Sequence, residues 1–169
     1  MSETPDALLP AAGLGQRFRD AMSLVPAAVH VITTGGASGR AGITATSVAS
    51  VSDAPPMLLA CINSESRLWP RVTENGVFCV NLLGAADQAL ADAFARRTGL
   101  TGERRFTAGE WTASTLGNPM LASAVAAFDC RLVEIKQVAT HGIVFGEVVA
   151  VRAKPGPVLL HARRGYHGL

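Results

Sequence analysis

Two stretches decide the fold: AAFDCRLVEIKQV, residues 126–138, and HGIVFGEVVAVR, residues 141–152. Both are rich in β-branched residues, and only Ala139 and Thr140 separate them. Two long strand-like runs across a two-residue connection are typical of a β-hairpin. The sequence therefore predicts a long antiparallel hairpin at the centre of the fold.

Shorter segments on both sides of this hairpin also have strand character, because apolar runs are bounded there by Gly, Pro or Asn. The further predicted strands are residues 28–34, 57–63, 77–83 and 158–162, with alternating small polar and apolar residues at 42–52. Helical spacing is confined to residues 18–25, 66–74 and 87–97. So many strands with so few crossover helices predict a mainly β fold, a closed antiparallel barrel with a few flanking short helices.

The third predicted helix has signals at both ends. Asp87 is placed to cap its start, and Arg96 and Arg97 suit the negative end of its dipole. At the beginning of the chain, residues 1–15 contain Pro and Gly without any sustained period, which predicts a flexible N-terminal arm. Residues 16–169 are then expected to form one domain.

Composition excludes several classes of protein. The formal net charge is +2 and no basic run is longer than two residues, so the chain lacks a stripe that could follow a nucleic-acid backbone. No apolar segment reaches the roughly 18 residues of a membrane span, and the first residues lack the basic region of a signal peptide. The three cysteines, Cys61, Cys79 and Cys130, lie in apolar runs and are expected to be buried and reduced. We therefore expect a cytoplasmic protein with no nucleic-acid or membrane partner.

The motifs of several common active sites are missing. The chain contains no G-x-G-x-x-G, G-x-x-x-x-G-K-[ST], H-E-x-x-H or G-x-S-x-G sequence. Its four histidines, at positions 30, 141, 161 and 167, do not pair with a cysteine at metal-ligand spacing. We therefore expect no metal site.

One segment concentrates small hydroxyl side chains, at Thr44, Thr46, Ser47, Ser50 and Ser52. Such residues let the backbone come close to a flat ligand, whose polar edge can accept hydrogen bonds from main-chain N–H groups. A threonine-rich strand with one solvated face has the same composition, and composition alone favours that interpretation.

A second segment, CINSESRLW at residues 61–69, runs from a predicted strand through a serine-rich turn into a helix that opens with Arg67. A helix N-terminus, hydroxyl groups and a guanidinium together suit a phosphate. An ordinary capped helix beside a solvated arginine has the same signature.

Two further positions are candidates of weaker specificity. His141 opens the second strand of the hairpin, and RRGYHG at residues 163–168 gathers two arginines, a histidine and the single tyrosine of the chain. A histidine at a strand entrance is more often structural than functional, and a chain end is usually solvated. Spacing alone does not choose among these interpretations.

Several ordered phrases, from about Phe18 to Tyr166, resemble the flavin reductase family of two-component monooxygenases. They are FRDAMSLVPAAVHVITT, GRAGITATSVASVSDAPPMLLACINSESRLWP, ENGVFCVNLL, ADAFARR, RRF, GNPML and FDCRLVEIKQVATHGIVFGEV. Within the family the chain is most similar to two groups, the reductase component of 4-hydroxyphenylacetate 3-monooxygenase and the flavin reductase of the pyrimidine utilization pathway. The resemblance implies an FMN-binding split barrel, a homodimer, bound FMN or FAD, and hydride transfer from NADH or NADPH. The reduced flavin would then pass to an oxygenase component.

The resemblance also implies roles for individual residues. The flavin ring and ribityl chain are expected beside Thr44, Ala45, Thr46, Ser47 and Ser52, and the phosphate side beside Cys61, Ile62, Asn63, Ser66 and Arg67. Asn81 and Phe94 are further expected flavin neighbours. His141 is the expected catalytic residue, with a stacking and orienting role at the nicotinamide, and Arg164 and Tyr166 are expected in the same pocket. Many members have Gly-Asp where this chain has Ala139 and Thr140, so the resemblance assigns no carboxylate there.

Hydride transfer depends mainly on positioning, with the nicotinamide C4 about 3 to 3.5 Å from flavin N5. Neutral hydroxyls with a single arginine predict weak flavin retention, as release to an oxygenase requires. Two alternatives stay open. One is an FMN oxidase of the pyridoxamine-phosphate type, which oxidises an amine, and the other is a non-catalytic flavin carrier or a regulatory subunit of an oxygenase.

Overall fold

The structure of the protein is a computed structural model that describes residues 13–169. The helices of that range are α1 (Leu14–Met22), α2 (Leu68–Asn75) and α3 (Gln88–Phe94), with one 3-10 helix at Gly102–Ala108. The strands are β1 (Ala27–Ala28), β2 (His30–Thr34), β3 (Ala41–Ala45), β4 (Val48–Asp53), β5 (Pro56–Asn63), β6 (Val77–Leu82), β7 (Trp111–Ala113), β8 (Pro119–Leu121), β9 (Ala126–Val138), β10 (His141–Ala153), β11 (Leu159–Ala162) and β12 (Gly165–Gly168). The mainly β prediction is confirmed.

Seven strands form the main sheet, in the order β3-β2-β6-β9-β10-β5-β4. All of its pairings are antiparallel, and the predicted hairpin lies inside it, with β9 and β10 paired from Ala126↔Ala153 to Val138↔His141. A three-stranded sheet, β1-β11-β12, and the short pair β7-β8 complete the fold. The prediction of a long central hairpin is therefore confirmed.

The main sheet separates two apolar cores because successive side chains of a strand point to opposite faces. On β2, Val31 packs with Phe94 and Leu121 on one side. The next residue, Ile32, packs with Phe78 and other residues on the opposite side. Strand β2 is buried along its whole length, so the two cores meet across it.

The two edge strands of the main sheet, β3 and β4, follow each other in the chain and are joined only by Thr46 and Ser47. They do not pair with each other, so the seven strands do not form the continuous closed barrel that strand count alone predicted. The bend between them is held by hydrogen bonds from Val48 N to Thr46 O, 3.1 Å, and from Cys61 N to Ser47 O, 3.0 Å. The hydroxyl-rich segment 42–52 is thus two strands with an exposed corner between them.

The end of α3 differs from the prediction. Arg96 has φ 62°, a left-handed conformation that an α-helix cannot continue through, and the helix ends at Phe94. Arg96 and Arg97 therefore lie beyond the helix, and the prediction that they occupy its last turn is wrong. The Asp87 carboxylate accepts from Gly84 N at 3.0 Å and Ser123 Oγ at 3.1 Å, and makes no cap hydrogen bond to the helix.

The cysteine prediction holds in part. Cys79 and Cys130 are buried and all three cysteines are free thiols, but Cys61 is only half-buried. The prediction that Cys61 is buried is wrong because alternate residues of β5 face the core, and Ile62 takes the core position. Of the predicted N-terminal arm, residues 1–12 lie outside the described residues, and α1 begins at Leu14.

Candidate functional site

The corner between β3 and β4 offers free main-chain donors. Thr46 and Ser47 are exposed, and within residues 13–169 neither of their N–H groups donates a hydrogen bond. Their hydroxyl groups make no hydrogen bond to the described part of the chain either, whereas Thr44 Oγ1 is committed to Ala91 O at 2.6 Å. Unpaired N–H groups at a surface corner are available to a ligand.

This corner forms one wall of a cavity of about 290 Å³, called here the corner cavity. Its lining residues are Val29, residues 44–47, Ala95, Arg97, His161 and Tyr166. The cavity therefore combines small side chains and free main-chain donors with a guanidinium and two rings.

Three of the side chains that line the corner cavity, Arg97, His161 and Tyr166, are linked by contacts with one another. The Tyr166 hydroxyl donates to Asp92 Oδ1 at 3.2 Å, and Arg97 Nη1 lies 3.3 Å from the same oxygen and 3.5 Å from the Tyr166 hydroxyl. The His161 ring meets the Tyr166 ring edge to face, with 5.5 Å between centroids. Burial and the nearby Arg97 and His167 lower the pKa of His161, which favours an uncharged imidazole at neutral pH.

A second cavity of about 290 Å³ adjoins the first, since both are lined by Thr44 and Ala95. Its other lining residues, which define the helix cavity, are Ile43, Asn63, Glu65, Ser66, Phe94 and Arg96. Phe94 can lie against β3 because Gly42 has no side chain, and a Cβ there would be 2.6 Å from Phe94 Cε1. The phenyl ring thus closes the floor between the helix cavity and the core.

The turn before α2 shapes the helix cavity. Asn63 Oδ1 accepts from Glu65 N at 2.8 Å, and Ser66 Oγ accepts from Trp69 N at 3.3 Å. Ser64 N and Ser64 Oγ both donate to Thr140 O, at 3.1 and 3.0 Å, which ties this turn to the end of the long hairpin. The predicted serine-rich turn is therefore held by hydrogen bonds and lies next to Thr140, which precedes β10.

A third, smaller cavity of about 190 Å³ is lined by four arginines, Arg40, Arg67, Arg71 and Arg105, and is called the arginine cavity. Arg40 pairs with Glu103, whereas the Arg67 side chain has no hydrogen bond or ion pair with the described residues. Arg105 is buried, and its Nε donates to Leu100 O at 3.3 Å. Burial, and then the charges of Arg96 and Arg67, lower the pKa of Arg105. Four arginines beside one carboxylate leave an excess of positive charge in the cavity, which suits an anion.

The other predicted site residues lie apart from these three cavity linings. His141 is exposed at the start of β10, opposite Asn63 in the sheet, with Nδ1 2.9 Å from Thr140 Oγ1. Arg164 lies in the turn between β11 and β12 and pairs with Asp20. Ser52 Oγ accepts from Ala54 N at 3.2 Å.

Two more predicted flavin neighbours are part of the protein interior. Asn81 is fully buried, where its amide donates to Val31 O at 3.0 Å and accepts from Leu121 N at 2.9 Å. Ile62 packs in the core beside the half-buried Cys61. Their proximity to a flavin stays a prediction, as it does for Ser52, His141 and Arg164.

Sequence reasoning missed several residues that line the cavities. These are Arg40, Arg71, Arg96, Arg97, Arg105 and His161. The only sequence signal was the pair Arg96 and Arg97 at the end of a predicted helix, and it was interpreted as dipole compensation. The left-handed conformation of Arg96 sends the two side chains to different cavities, Arg96 to the helix cavity and Arg97 to the corner cavity.

Residues 22–169 match the family model described as flavin reductase like domain. The chain belongs to this family. It is similar to the FMN reductase (NADH) RutF of Enterobacter cloacae, with 45% identity over 155 residues that cover 91% of this chain and 93% of that protein.

Solved structures of other flavin reductases have the same fold. A Haemophilus somnus protein described as a candidate flavin reductase is 41% identical, with a TM-score of 0.87 over 91% of this chain and 98% of that chain. The Streptomyces globisporus NADH:FAD oxidoreductase SgcE6, in complex with NAD and FAD fragments, is 28% identical. Its TM-score is 0.85 over 95% of this chain and 96% of that chain.

No helix within residues 13–169 has the length and apolar character to cross a membrane. No group of three or more His, Cys, Asp or Glu side chains in the same range is placed to hold a metal ion.

Proposed function

We propose that this protein is an NADH-dependent FMN reductase, which transfers hydride from NADH to FMN and releases the reduced flavin to an oxygenase component. Membership of the flavin reductase family and similarity to a protein named FMN reductase (NADH) support this activity. The single structural observation that carries it is the corner cavity, which brings free main-chain donors together with two rings and a guanidinium.

The residues of the three cavities fit the chemistry of a flavin mononucleotide. The edge of an isoalloxazine ring presents carbonyl oxygens and ring nitrogens, which suit the free N–H groups of Thr46 and Ser47. The phosphate end suits Ser66 and the unpaired guanidinium of Arg67, at the helix and arginine cavities. Volumes of about 290 Å³ for each of the first two cavities agree with a ligand that spans both.

The role of the protein in the reaction is mainly to bind and orient. Bound flavin supplies the hydride acceptor, and the reduced pyridine nucleotide supplies the hydride. With a flavin bound along residues 44–47, Thr46 N–H and Ser47 N–H would be donors to the ring edge, and preorganised donors stabilise the negative charge of a reduced ring without reorganisation. Phe94 excludes water from the floor of the helix cavity. His141, beside Asn63, orients the nicotinamide. It takes no part in a proton transfer, because hydride transfer depends on positioning.

We also propose that the sheets form a split barrel. Its support is that the edge strands β3 and β4 meet at the two-residue corner of Thr46 and Ser47, so the sheet returns on itself there. Three free cysteines support a reducing cytoplasmic compartment.

A homodimer is likewise proposed. The apolar side chains Leu14, Phe18 and Met22 follow one another at four-residue intervals on α1 and are 57%, 62% and 50% exposed. Such a stripe on a helix suits a subunit interface. Sedimentation equilibrium is expected to give twice the chain mass, and Phe18→Glu is expected to shift it toward the chain mass. A monomeric wild-type protein would contradict the dimer.

The activity is tested by steady-state oxidation of NADH with catalytic protein and excess FMN, with NADPH and FAD in parallel reactions. Many turnovers per protein molecule are expected, with NADH and FMN as the preferred pair. A non-catalytic carrier predicts no more than one equivalent of NADH consumed. An oxidase of the pyridoxamine-phosphate type predicts no rapid bleaching of flavin by NADH, and flavin reduction by an amine substrate instead.

A further inference from the structure

The corner cavity has lining residues that the proposed flavin position leaves free. The proposed ring position is along residues 44–47, and Arg97, His161 and Tyr166 line the same cavity. A pyridine nucleotide must come close to the ring to transfer hydride. These three residues are therefore candidates for contact with it.

Arg97 is held in place with most of its donors unused. Its Nη1 bonds to Asp92 Oδ1 and Tyr166 Oη, at 3.3 and 3.5 Å, and its guanidinium carbon lies 5.6 Å from the Tyr166 ring centre. An arginine carries five N–H donors, and within residues 13–169 Nε and Nη2 of Arg97 make no hydrogen bond. The charge is thus held in place at the cavity lining, with donors free for a ligand.

The phosphates of a pyridine nucleotide need a cationic partner that is separate from the one at the flavin phosphate. The flavin phosphate is assigned to the turn at Ser66 and Arg67, beyond the helix cavity from the corner cavity. Arg67, Arg96 and Arg105 already provide positive charge there. In the corner cavity Arg97 is the single arginine or lysine in the lining, beside His161, whose pKa is lowered by burial.

Arg164, which the family resemblance places at the nicotinamide, has another partner. Arg164 has φ 61° at the tip of the β11–β12 turn and pairs with Asp20 of α1. It does not line any of the three described cavities of the site. Arg97, by contrast, lines the corner cavity itself.

We propose that Arg97 binds the pyrophosphate of the reduced pyridine dinucleotide, with Asp92 and Tyr166 as the positioning residues that hold its guanidinium. An arginine fork pairs with phosphate oxygens through two parallel hydrogen bonds, which a lysine or an amide cannot reproduce. The inference rests on the proposed function, because it assumes that the flavin lies along residues 44–47.

The test compares Arg97→Gln with the wild type and with Arg131→Gln as the matched control. Arg131 also pairs with a carboxylate, Glu147 at 3.5 Å, and is absent from the linings of the three cavities. We expect Arg97→Gln to raise the KM for NADH, and the Kd for NAD⁺ measured by calorimetry, by roughly tenfold to a hundredfold. FMN affinity and kcat are expected to stay within about twofold of the wild-type values. The substitution removes an interaction that NADH makes equally in the ground state and in the transition state, so KM changes and kcat does not.

Two further variants separate charge from geometry. Arg97→Lys is expected to recover part of the lost NAD⁺ affinity, and Asp92→Asn to lose a smaller part, since the guanidinium is then less well held. Thermal unfolding of each variant confirms that the fold is retained.

Three results would overturn the inference: an unchanged NAD⁺ affinity in Arg97→Gln, an equal loss of FMN affinity, or a larger loss of NAD⁺ affinity in Arg164→Gln than in Arg97→Gln. Failure of the proposed function is distinguishable, because wild-type protein would then fail to oxidise NADH with FMN whatever its affinity for NAD⁺.

Discussion

Trp69 lies directly against the backbone of Gly142, so closely that a Cβ at position 142 would be 1.9 Å from Trp69 Cη2. This contact joins the start of α2 to the start of β10. Ser66 and Arg67 come just before Trp69 in the chain, and His141 comes just before Gly142. The indole contact therefore links the proposed phosphate turn to the proposed orienting histidine.

The first prediction follows from this contact. Gly142→Ala is expected to displace the indole and to lower the free energy of unfolding by about 1 to 3 kcal/mol, as overpacking does. Urea unfolding followed by far-UV circular dichroism measures the loss. In a Trp69→Ala background the same substitution is expected to be close to neutral. Equal losses in the two backgrounds would show that the indole is not the obstacle.

The sequence was sufficient for the elements that follow a regular pattern. The hairpin of residues 126–152 was predicted within one residue of β9 and β10, because two long β-branched runs with a two-residue connection permit few other structures. The strand at 57–63 was equally clear, since Pro55 and Pro56 mark its start. Regular patterning and strong breakers made these elements predictable.

Conformations without a residue signal could not be predicted. Strand β12 was missed because the turn before it uses Arg163 and Arg164 at φ 50° and 61°, where Gly or Asn is the usual choice. The cavity lining by Arg97 depends on the left-handed Arg96, which no pattern indicates. The hydroxyl segment was noticed, but its division into two strands at Thr46 and Ser47 required the sheet order.

A buried carboxylate holds the β7–β8 pair against the main sheet. Asp129, which is fully buried on β9, accepts hydrogen bonds of 2.8 Å from Ser114 Oγ, Leu116 N and Asn118 Nδ2. Asp129→Ala leaves these donors without a partner, and we expect a loss of roughly 3 kcal/mol or more in the free energy of unfolding. Chemical denaturation measures it. Asp53→Ala, at an exposed carboxylate, is the control and should change stability by less than about 0.5 kcal/mol.

His30 makes stability depend on pH. Burial lowers its pKa from 6.5 to about 4, with the nearby Ala45 and Ala28 backbone opposing part of the shift, and Nδ1 has no hydrogen-bond partner among the described residues. The unfolded chain therefore binds a proton at higher pH than the folded one. The contribution is fully present above pH 6.5 and is lost as the pH falls toward 4, by about 3 kcal/mol over the whole window.

The measurement is urea unfolding at several pH values in this window. The slope of stability against pH is expected to flatten in His30→Gln and to persist in His167→Gln, an exposed control. An unchanged slope in His30→Gln would remove His30 as the cause.

Arg67 is expected to distinguish flavins by their phosphate. Its side chain lines the arginine cavity without an ion-pair partner among the described residues, so a phosphate at the neighbouring turn would be its main counter-charge. Arg67→Gln is expected to weaken FMN binding by roughly tenfold to a hundredfold and to leave riboflavin binding unchanged. Flavin fluorescence quenching measures both, and Arg131→Gln is the matched control. Equal weakening of FMN and riboflavin would place the phosphate elsewhere.

The most direct test of the account is a crystal structure of the protein with FMN. We predict the isoalloxazine edge within hydrogen-bond distance of Thr46 N and Ser47 N, and the phosphate beside Ser66 and Arg67. A flavin bound instead in the cavity of about 370 Å³ that Gly84, Ser123 and Pro157 help to line, or one whose ring makes no contact with Thr46 and Ser47, would contradict it.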